Sequence, residues 1–590
     1  MNTPIAYYQK HLKIYKKEVQ KWHKQMTALS IYRLLVFVTT AFGVYMAFSQ
    51  WQVAVFIGVV GVVIFLYLLS KYNDIKTKRQ FNDALVTINQ DEIKILSGDF
   101  HHKNEGLEFQ DPKHFYSLDI DLFGRGSFFQ FINRTTIYEG TEALANALKA
   151  NDINDIELRQ EAIKELSSKP QWRQFYSATA SLVTIETSAN DIIKWLQKYQ
   201  PFLPKQFKRL PLAFTIISVA VFGLVFLNVM TNQIVIGYWL LVGLAVTGYY
   251  VKKINTLASN TDKVKETFRQ YASLLKLIEN ETFSSELLKQ KQQQIQQKGK
   301  QASIIFKELS KSLDALDHRN NFISAIFGNG YFLSDIKNSF HIEQWIKEHA
   351  NKVVDWFEVV SFFDAYNTLG NFAFNHPDFV FPKIVNNSSI IKADALGHPL
   401  LNKNKRVDSN LTIENEQFFI VTGANMAGKS TFLRTVSLHI VMANVGLPVC
   451  SKTSSYTPVK LITSMRTSDS LADDSSYFFS ELTRLKYIVD ALKNEPYFIV
   501  LDEILKGTNS TDKAIGSRKF VEKLVASNAT GIIATHDLSL CEIADKLEEV
   551  KNYYFDAEII NDELHFDYTL KTGICKNMNA SFLLKKMNII

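Results

Sequence analysis

Two stretches of the chain, residues 34–70 and 210–251, contain no charged residue, whereas elsewhere apolar positions recur at helical spacing or gather in short runs. Each uncharged stretch is too long for one bilayer crossing of about 20 residues. Each fits two crossings joined by a tight polar turn, at 49–52 and 231–233. The pattern predicts two transmembrane hairpins. A cleavable leader is not expected, because the polar and basic residues 1–33 precede the first run and no small-residue cleavage site follows a short apolar segment.

Between and after the hairpins the spacing is helical. Residues 71–209 predict a helical unit, with 142–148 an amphipathic helix and Gly124, Gly126 and Gly140 as punctuation. Residues 252–394 predict a helical arm with one break near 328–330. The Gln-rich, Lys-rich stretch 289–311 reads as one solvated helix face, and is also the one local candidate for DNA contact. From about Phe372 prolines arrive (Pro377, Pro382, Pro399), followed by apolar runs at 418–421, 497–501 and 531–535. Strands alternating with helices over 395–590 predict a parallel α/β unit.

Charge sets the orientation. The 33 residues before the first hairpin hold seven Lys/Arg against Glu18, and residues 71–80 hold Lys71, Lys76, Lys78 and Arg79 against Asp74. Lys205, Lys208 and Arg209 precede the second hairpin, and Lys252 and Lys253 follow it. All four flanks are basic, which predicts a protein integral to the cytoplasmic membrane, with both termini and the bulk of the chain cytoplasmic. These flanks exceed the whole chain's net charge of +7, so the remainder is acidic and offers no broad phosphate-binding stripe. With 590 residues, 46% of them hydrophobic, the chain holds several folded units and is not a disordered scaffold. Cys450, Cys541 and Cys575 lie far apart without CxxC spacing, which excludes a disulfide framework or zinc site as the organising device.

The chemistry concentrates in Phe418-Phe-Ile-Val-Thr-Gly423-Ala-Asn425-Met-Ala-Gly428-Lys429-Ser430-Thr431, a strand running into GxxxxGK[ST] and then a helix with Leu433, Val436 and Ile440 on one face. Glycines let backbone amides curl around phosphates, a lysine reaches the β- and γ-phosphates, and a hydroxyl at the Ser430 position suits Mg²⁺. The site residues predicted for ATP are Gly423, Asn425, Gly428, Lys429, Ser430 and Thr431. Downstream, Tyr497-Phe-Ile-Val-Leu-Asp502-Glu503 ends a buried-strand pattern in two acids. Asp502 suits Mg²⁺, together with Ser430, and Glu503 suits polarising the attacking water. His536 closes a third strand, where an imidazole can sense the γ-phosphate.

On these motifs residues 395–590 resemble the ATPase domain of the MutS mismatch-repair family. The loop 422–431 is similar to that family's phosphate loop, with Ala424 where proline is usual. Asp502-Glu-Ile-Leu-Lys-Gly507-Thr508-Asn-Ser-Thr-Asp512 and Ala534-Thr-His536 match its following motifs. Residues 468–481 resemble the signature segment through which one subunit completes its partner's ATP site. Ser476 is the matching serine, and Asp474 stands where glycine is usual. Residues 119–135 are similar to the family's helical core, and His398-Pro399-Leu400 to the approach to its ATPase domain. No Phe-x-Glu tripeptide that could serve as a mismatch-reading wedge occurs before Phe306, and a hairpin occupies the region where that domain would sit.

The resemblance implies an ABC-type P-loop ATPase domain with helical core segments, using ATP and Mg²⁺ and working as a dimer. The expected function is a membrane-anchored, ATP-driven switch, with DNA near the membrane left open as its cargo. The alternative is a nucleotide-switched membrane scaffold or transport-related protein that never touches DNA. A transporter proper is disfavoured because no LSGGQ-like signature occurs and only four spans are expected.

Overall fold

The computed structural model describes residues 3–576 apart from 184–186, 228, 231, 298–299, 425, 467–476 and 561–562. Its first helix, α1 (Pro4–Met46), starts at a capping Thr3 whose hydroxyl accepts from the Ala6 amide, with proline at the first helical position. The chain turns at 47–50 and returns as α2 (Trp51–Leu96), packed along α1. Neither helix breaks where its charge-free run ends. Lys, Gln and Glu are good helix formers, so the basic flanks continue the same helices and the change at 33/34 and 70/71 is one of solvent preference, not of backbone. At that level the Arg33 guanidinium lies 5.2 Å from the rings of both Phe65 and Tyr72.

The helical body follows. Gly140, expected as punctuation, lies inside α3 (Tyr138–Lys149). A Cβ there would come within 2.2 Å of Asp364 Oδ2, so glycine permits a close approach. The same carboxylate accepts from the amides of Thr136 and Ile137, at 2.9 and 3.0 Å, and holds the entry to α3. Burial pushes Asp364 up to about 7.

Four apolar or partly apolar helices complete the relevant frame: α4 (Leu210–Phe226), α5 (Ile234–Asp262), α6 (Phe322–Phe332) and the 42-residue α7 (Ser334–Asn375). Trp356, Phe357, Phe363 and Leu369 of α7 are buried at the centre of the helical body. By length and composition, three of the described helices, α1, α2 and α5, are long and apolar enough to cross a membrane, and the expected fourth span, α4, has 17 residues. The stretch 289–311 is not one helix: Glu286–Ile295 and Ala302–Asp317 are separated by a two-strand hairpin pairing Gln296 with Gln301. The end of α2 is tied to this body through Glu92, which accepts from Arg134 Nε at 2.7 Å and from the amides of Asn371 and Asn375 at 2.9 and 2.8 Å.

The C-terminal part is built on β1 (Phe418–Gly423), α8 (Lys429–Val445), β2 (Lys460–Ser464), α9 (Tyr477–Ala491), β3 (Tyr497–Asp502), β4 (Thr530–Ala534), β5 (Val550–Phe555) and β6 (Lys571–Thr572). The sheet order is β6-β5-β1-β4-β3-β2, with every pair parallel except β5 with β6. A second, four-stranded sheet joins Lys383–Ile384, Thr453–Tyr456, Ser389–Leu396 and Ser409–Glu414, so strand pairing begins upstream of residue 395. Helix α8 has Leu433, Val436 and Ile440 at its centre, but it is buried almost all round and not on one face only. The whole chain is therefore mostly helical, with its mixed sheets concentrated in this part.

The open edge of the large sheet is covered by the helical body. Asn151 acts as a one-residue strand against β2: its Oδ1 accepts from the Leu461 amide at 2.9 Å and its Nδ2 donates to the Leu461 carbonyl at 3.0 Å. Thr463 donates its amide to the Phe115 carbonyl at 2.9 Å, and Asp119 accepts from the Thr463 hydroxyl at 2.5 Å and the Arg466 amide at 2.8 Å. An edge that would otherwise present unpaired backbone groups becomes the joint between the two halves.

Candidate functional site

The parallel strands bring the predicted residues together. β1 ends at Gly423, whose φ of 149° and whose Cβ position, 2.6 Å from the Phe555 carbonyl oxygen, leave room only for glycine. The following loop returns through Gly428, at φ 103°, into Lys429 at the first position of α8. Backbone N–H groups at a helix start are free to meet an anion, and the helix dipole favours one there.

Lys429 is buried, and its Nζ donates to the carbonyls of Gly423 and Ala424 at 2.9 and 3.0 Å. Burial pulls its ammonium below the usual lysine range, while the nearby Glu503 and Asp502 carboxylates oppose that shift. Ser430 donates its hydroxyl to Asp502 Oδ2 at 2.7 Å. A hydroxyl and a carboxylate oxygen thus stand side by side at the junction of α8 and β3.

Glu503 leaves β3 in the left-handed region, φ 50°, while its amide donates to the Ala534 carbonyl at 2.9 Å. For a residue other than glycine this conformation is strained, and it turns the side chain off the strand line. The carboxylate meets His536, with Oε1 2.9 Å from Nε2. Nε2 also lies 3.3 Å from Lys429 Nζ. A carboxylate has no hydrogen to give, so Nε2 carries the hydrogen and donates to Glu503, and the lysine is satisfied by the loop carbonyls. The hydrogen bond to His536 holds the Glu503 carboxyl down at about 2, against burial, which pushes it up.

Gly428, Lys429, Ser430, Thr431, Glu503 and His536 line one cleft of about 480 Å³. Asp502 reaches it through Ser430. Asn425 and Ser476 lie outside the described residues. The cleft also has walls that the sequence motifs did not name. Val407, Phe432 and Phe555 add apolar lining, and Tyr568 stands over the loop, its Cδ1 3.1 Å from where a Cβ on Gly428 would be. His398, known from the sequence only as part of His398-Pro399-Leu400, is a wall residue too, and burial holds it neutral by lowering it to about 4. Tyr568 and Val407 follow no sequence pattern that singles them out.

A strand, a glycine-bent loop, a buried lysine at a helix start and two acids at the end of β3, with β4 between it and β1, define a parallel α/β unit whose centre suits a polyanion. Residues 419–585 match MutS domain V. Human MutS protein homolog 4 is 30% identical over 246 residues, covering 40% of this chain and 26% of that protein. The DNA mismatch repair protein MutS of Methanococcoides burtonii is 31% identical over 230 residues, 38% of this chain and 26% of its own length. The chain thus carries a domain of MutS domain V type. The match spans about a quarter of the length of these relatives.

Proposed function

We propose that the chain is a membrane-anchored ATPase of MutS type, with an ABC-type P-loop domain, that acts as a homodimeric switch on DNA near the cytoplasmic face of the membrane. The observation that carries this reading is the convergence at one helix start of Lys429, the Ser430–Asp502 pair at 2.7 Å and the Glu503–His536 pair at 2.9 Å. The family match supports ATP as the nucleotide.

The donor set fits Mg²⁺. A serine hydroxyl and one carboxylate are hard oxygen ligands, and Mg²⁺ takes one or two protein ligands, the rest coming from phosphates and water. Ser430 and Asp502 would hold it. When bound, Mg²⁺ would supply charge neutralisation to the phosphate groups.

The chain's own residues supply the rest. The Lys429 ammonium exchanges its carbonyl partners for phosphate oxygens, and the start of α8 offers its amides. Glu503, held by His536, orients the attacking water and stabilises charge as it develops on it. A carboxylate kept near 2 is a weak proton acceptor, so orientation outweighs proton abstraction. ATP then closes the dimer, and the joint at Asn151 and Asp119 passes the movement to the helical body.

Four apolar helices, α1, α2, α4 and α5, would form the anchor, with their basic ends and the ATPase unit cytoplasmic. A second reading, a nucleotide-switched membrane scaffold without DNA, is favoured by the acidic balance of the chain outside the basic flanks. Binding of labelled duplex DNA by the full-length protein, titrated with salt, separates the two. Affinity that falls steeply with salt supports the DNA switch, and no binding at low salt supports the scaffold.

A further inference from the structure

Helix α6, Phe322–Phe332, has no charged residue, and neither does Leu333 after it. It leaves Phe322 77%, Ile323 67% and Phe327 51% exposed. Its other side is packed into the α4–α5 pair by close contacts. A Cβ on Gly243 of α5 would come within 2.2 Å of the Gly330 carbonyl oxygen, and a Cβ on Gly330 within 2.8 Å of Leu240 Cγ. Small residues at a crossing are what lets helix backbones touch in lipid. Phe222 of α4 stacks edge-on with Tyr331 at 4.9 Å.

The polar groups at the end of α6 are satisfied from within. Ser218 of α4 donates its hydroxyl to the Tyr331 carbonyl at 2.7 Å and itself accepts from Trp239 Nε1 of α5, also at 2.7 Å. Ser334 donates to the Gly328 carbonyl at 2.9 Å, and Asn329 Oδ1 accepts from the Asp335 amide at 2.9 Å, capping the start of α7. Arg319, just before α6, pairs with Asp335, just after it, at 3.3 Å. A helix end in hydrocarbon needs this kind of internal satisfaction, because no water is present to supply it. A helix end exposed to water has no such need.

Depth follows from α5. Gly243 lies midway along the uncharged part of α5, 234–251, and Tyr331 donates its hydroxyl to the Ile236 carbonyl near the far end, at 3.4 Å. Eleven residues of helix rise about 16 Å, roughly half of a ~30 Å hydrocarbon core. The helix is too short to span and the right length to enter one leaflet.

We propose that α6 is a re-entrant membrane helix: it enters the bilayer beside α4 and α5, turns at Leu333, and returns as α7, with lipid acyl chains covering Phe322, Ile323 and Phe327. The proposal rests on the reading that α4 and α5 are membrane-embedded, and extends their apolar surface without a break. It also places the start of α7, the central helix of the cytoplasmic body, in the membrane, so that nucleotide-driven movement of that body would tilt a lipid-embedded element.

The test uses the full-length protein in phosphatidylcholine vesicles whose acyl chains are brominated, with an environment-sensitive fluorophore on a single introduced cysteine. Unsubstituted protein measures labelling of the buried native cysteines. Ile216→Cys on α4 reports the membrane reading, Phe327→Cys reports α6, and Ile304→Cys, exposed on helix Ala302–Asp317, is the aqueous control. The expected result is a loss of emission at Phe327→Cys comparable with that at Ile216→Cys, and none at Ile304→Cys. Quenching at Ile216→Cys alone overturns the re-entrant helix and leaves the anchor standing. Quenching at neither overturns both. Disulfide formation between two Phe327→Cys chains without quenching means that a second copy covers α6, and also overturns the proposal. Ile323→Cys repeats the measurement should Phe327→Cys fail to fold, and Gly330→Leu should reduce quenching on α6 while leaving Ile216→Cys quenched.

Discussion

Glu503 and His536 follow the ends of two neighbouring parallel strands and meet with Oε1 2.9 Å from Nε2, which fixes the carboxylate's direction and keeps it ionised. The folded carboxyl is held at about 2, below its ordinary 4.5. A depressed folded value stabilises the fold at every pH above the unfolded value, and that contribution is lost as pH falls through the folded one. The window is therefore about 4.5 down to about 2. In the ATPase pH profile, wild type should show no acid limb from Glu503 above pH 4.5. His536→Ala should lower kcat and bring a Glu503 limb up toward 4.5. An unchanged profile in His536→Ala would remove the pairing from the mechanism.

Lys429 and Glu503 divide binding from turnover. The ammonium touches ground-state phosphates, whereas the carboxylate acts on water mainly in the transition state. Lys429→Ala should abolish tight ATP binding, and Glu503→Gln should retain ATP while slowing hydrolysis by orders of magnitude. Equilibrium binding of a fluorescent ATP analogue and single-turnover hydrolysis separate the two. Equal hydrolysis by wild type and Glu503→Gln would take Glu503 out of the chemistry.

The strands and the glycine-bent loop from Gly423 to Gly428 were legible in the sequence, because buried parallel strands read as unbroken apolar runs and glycines mark where the chain must bend. Helix limits were not, since Lys, Gln and Glu carry α1 and α2 past their apolar runs without a signal. Helix α6 was hidden for a different reason. Its uncharged run is shorter than a span, and Gly330, part of what reads as a break at 328–330, is the contact that lets it pack against α5. The Asn151 joint and the Tyr568 wall were invisible because each depends on residues far apart in sequence.

Asn151 should matter to stability and not to nucleotide chemistry. Removing its side chain strands two buried backbone groups of Leu461, at about 1–3 kcal/mol each. Because Asn151 is left-handed, with φ 51°, Asn151→Ala adds strain that Asn151→Gly avoids. Both should melt earlier than wild type, alanine earliest, with KM for ATP unchanged. A wild-type melting temperature in both would show that the edge is not held there.

The turn between α1 and α2 should lie outside. Ser49→Cys in intact cells should react with an impermeant thiol reagent, and Ala150→Cys should not. Labelling at residue 150 without labelling at residue 49 would reverse the topology.

Assembly is the most demanding prediction, because it concerns Ser476, immediately before α9. The start of α9 is held beside the acidic strand end: Glu481 accepts from the Lys506 amide at 3.0 Å, and a Cβ on Gly507 would come within 2.9 Å of Phe478 Cβ. The start of α9 is thereby tied to the loop that follows Glu503. A serine hydroxyl with helix-start amides makes a good γ-phosphate cap, and in the family's pattern that cap is given to the neighbouring subunit's nucleotide. Ser476→Ala and Lys429→Ala chains should each be inactive alone. Mixed, they should regain part of the ATPase, since a heterodimer pairs the intact Lys429 of one chain with the intact Ser476 of the other in one site. Glu503→Gln with ATP should shift the full-length protein toward dimer in analytical ultracentrifugation in detergent. No recovery on mixing, together with a monomer that ATP leaves unchanged, would exclude a site shared between subunits.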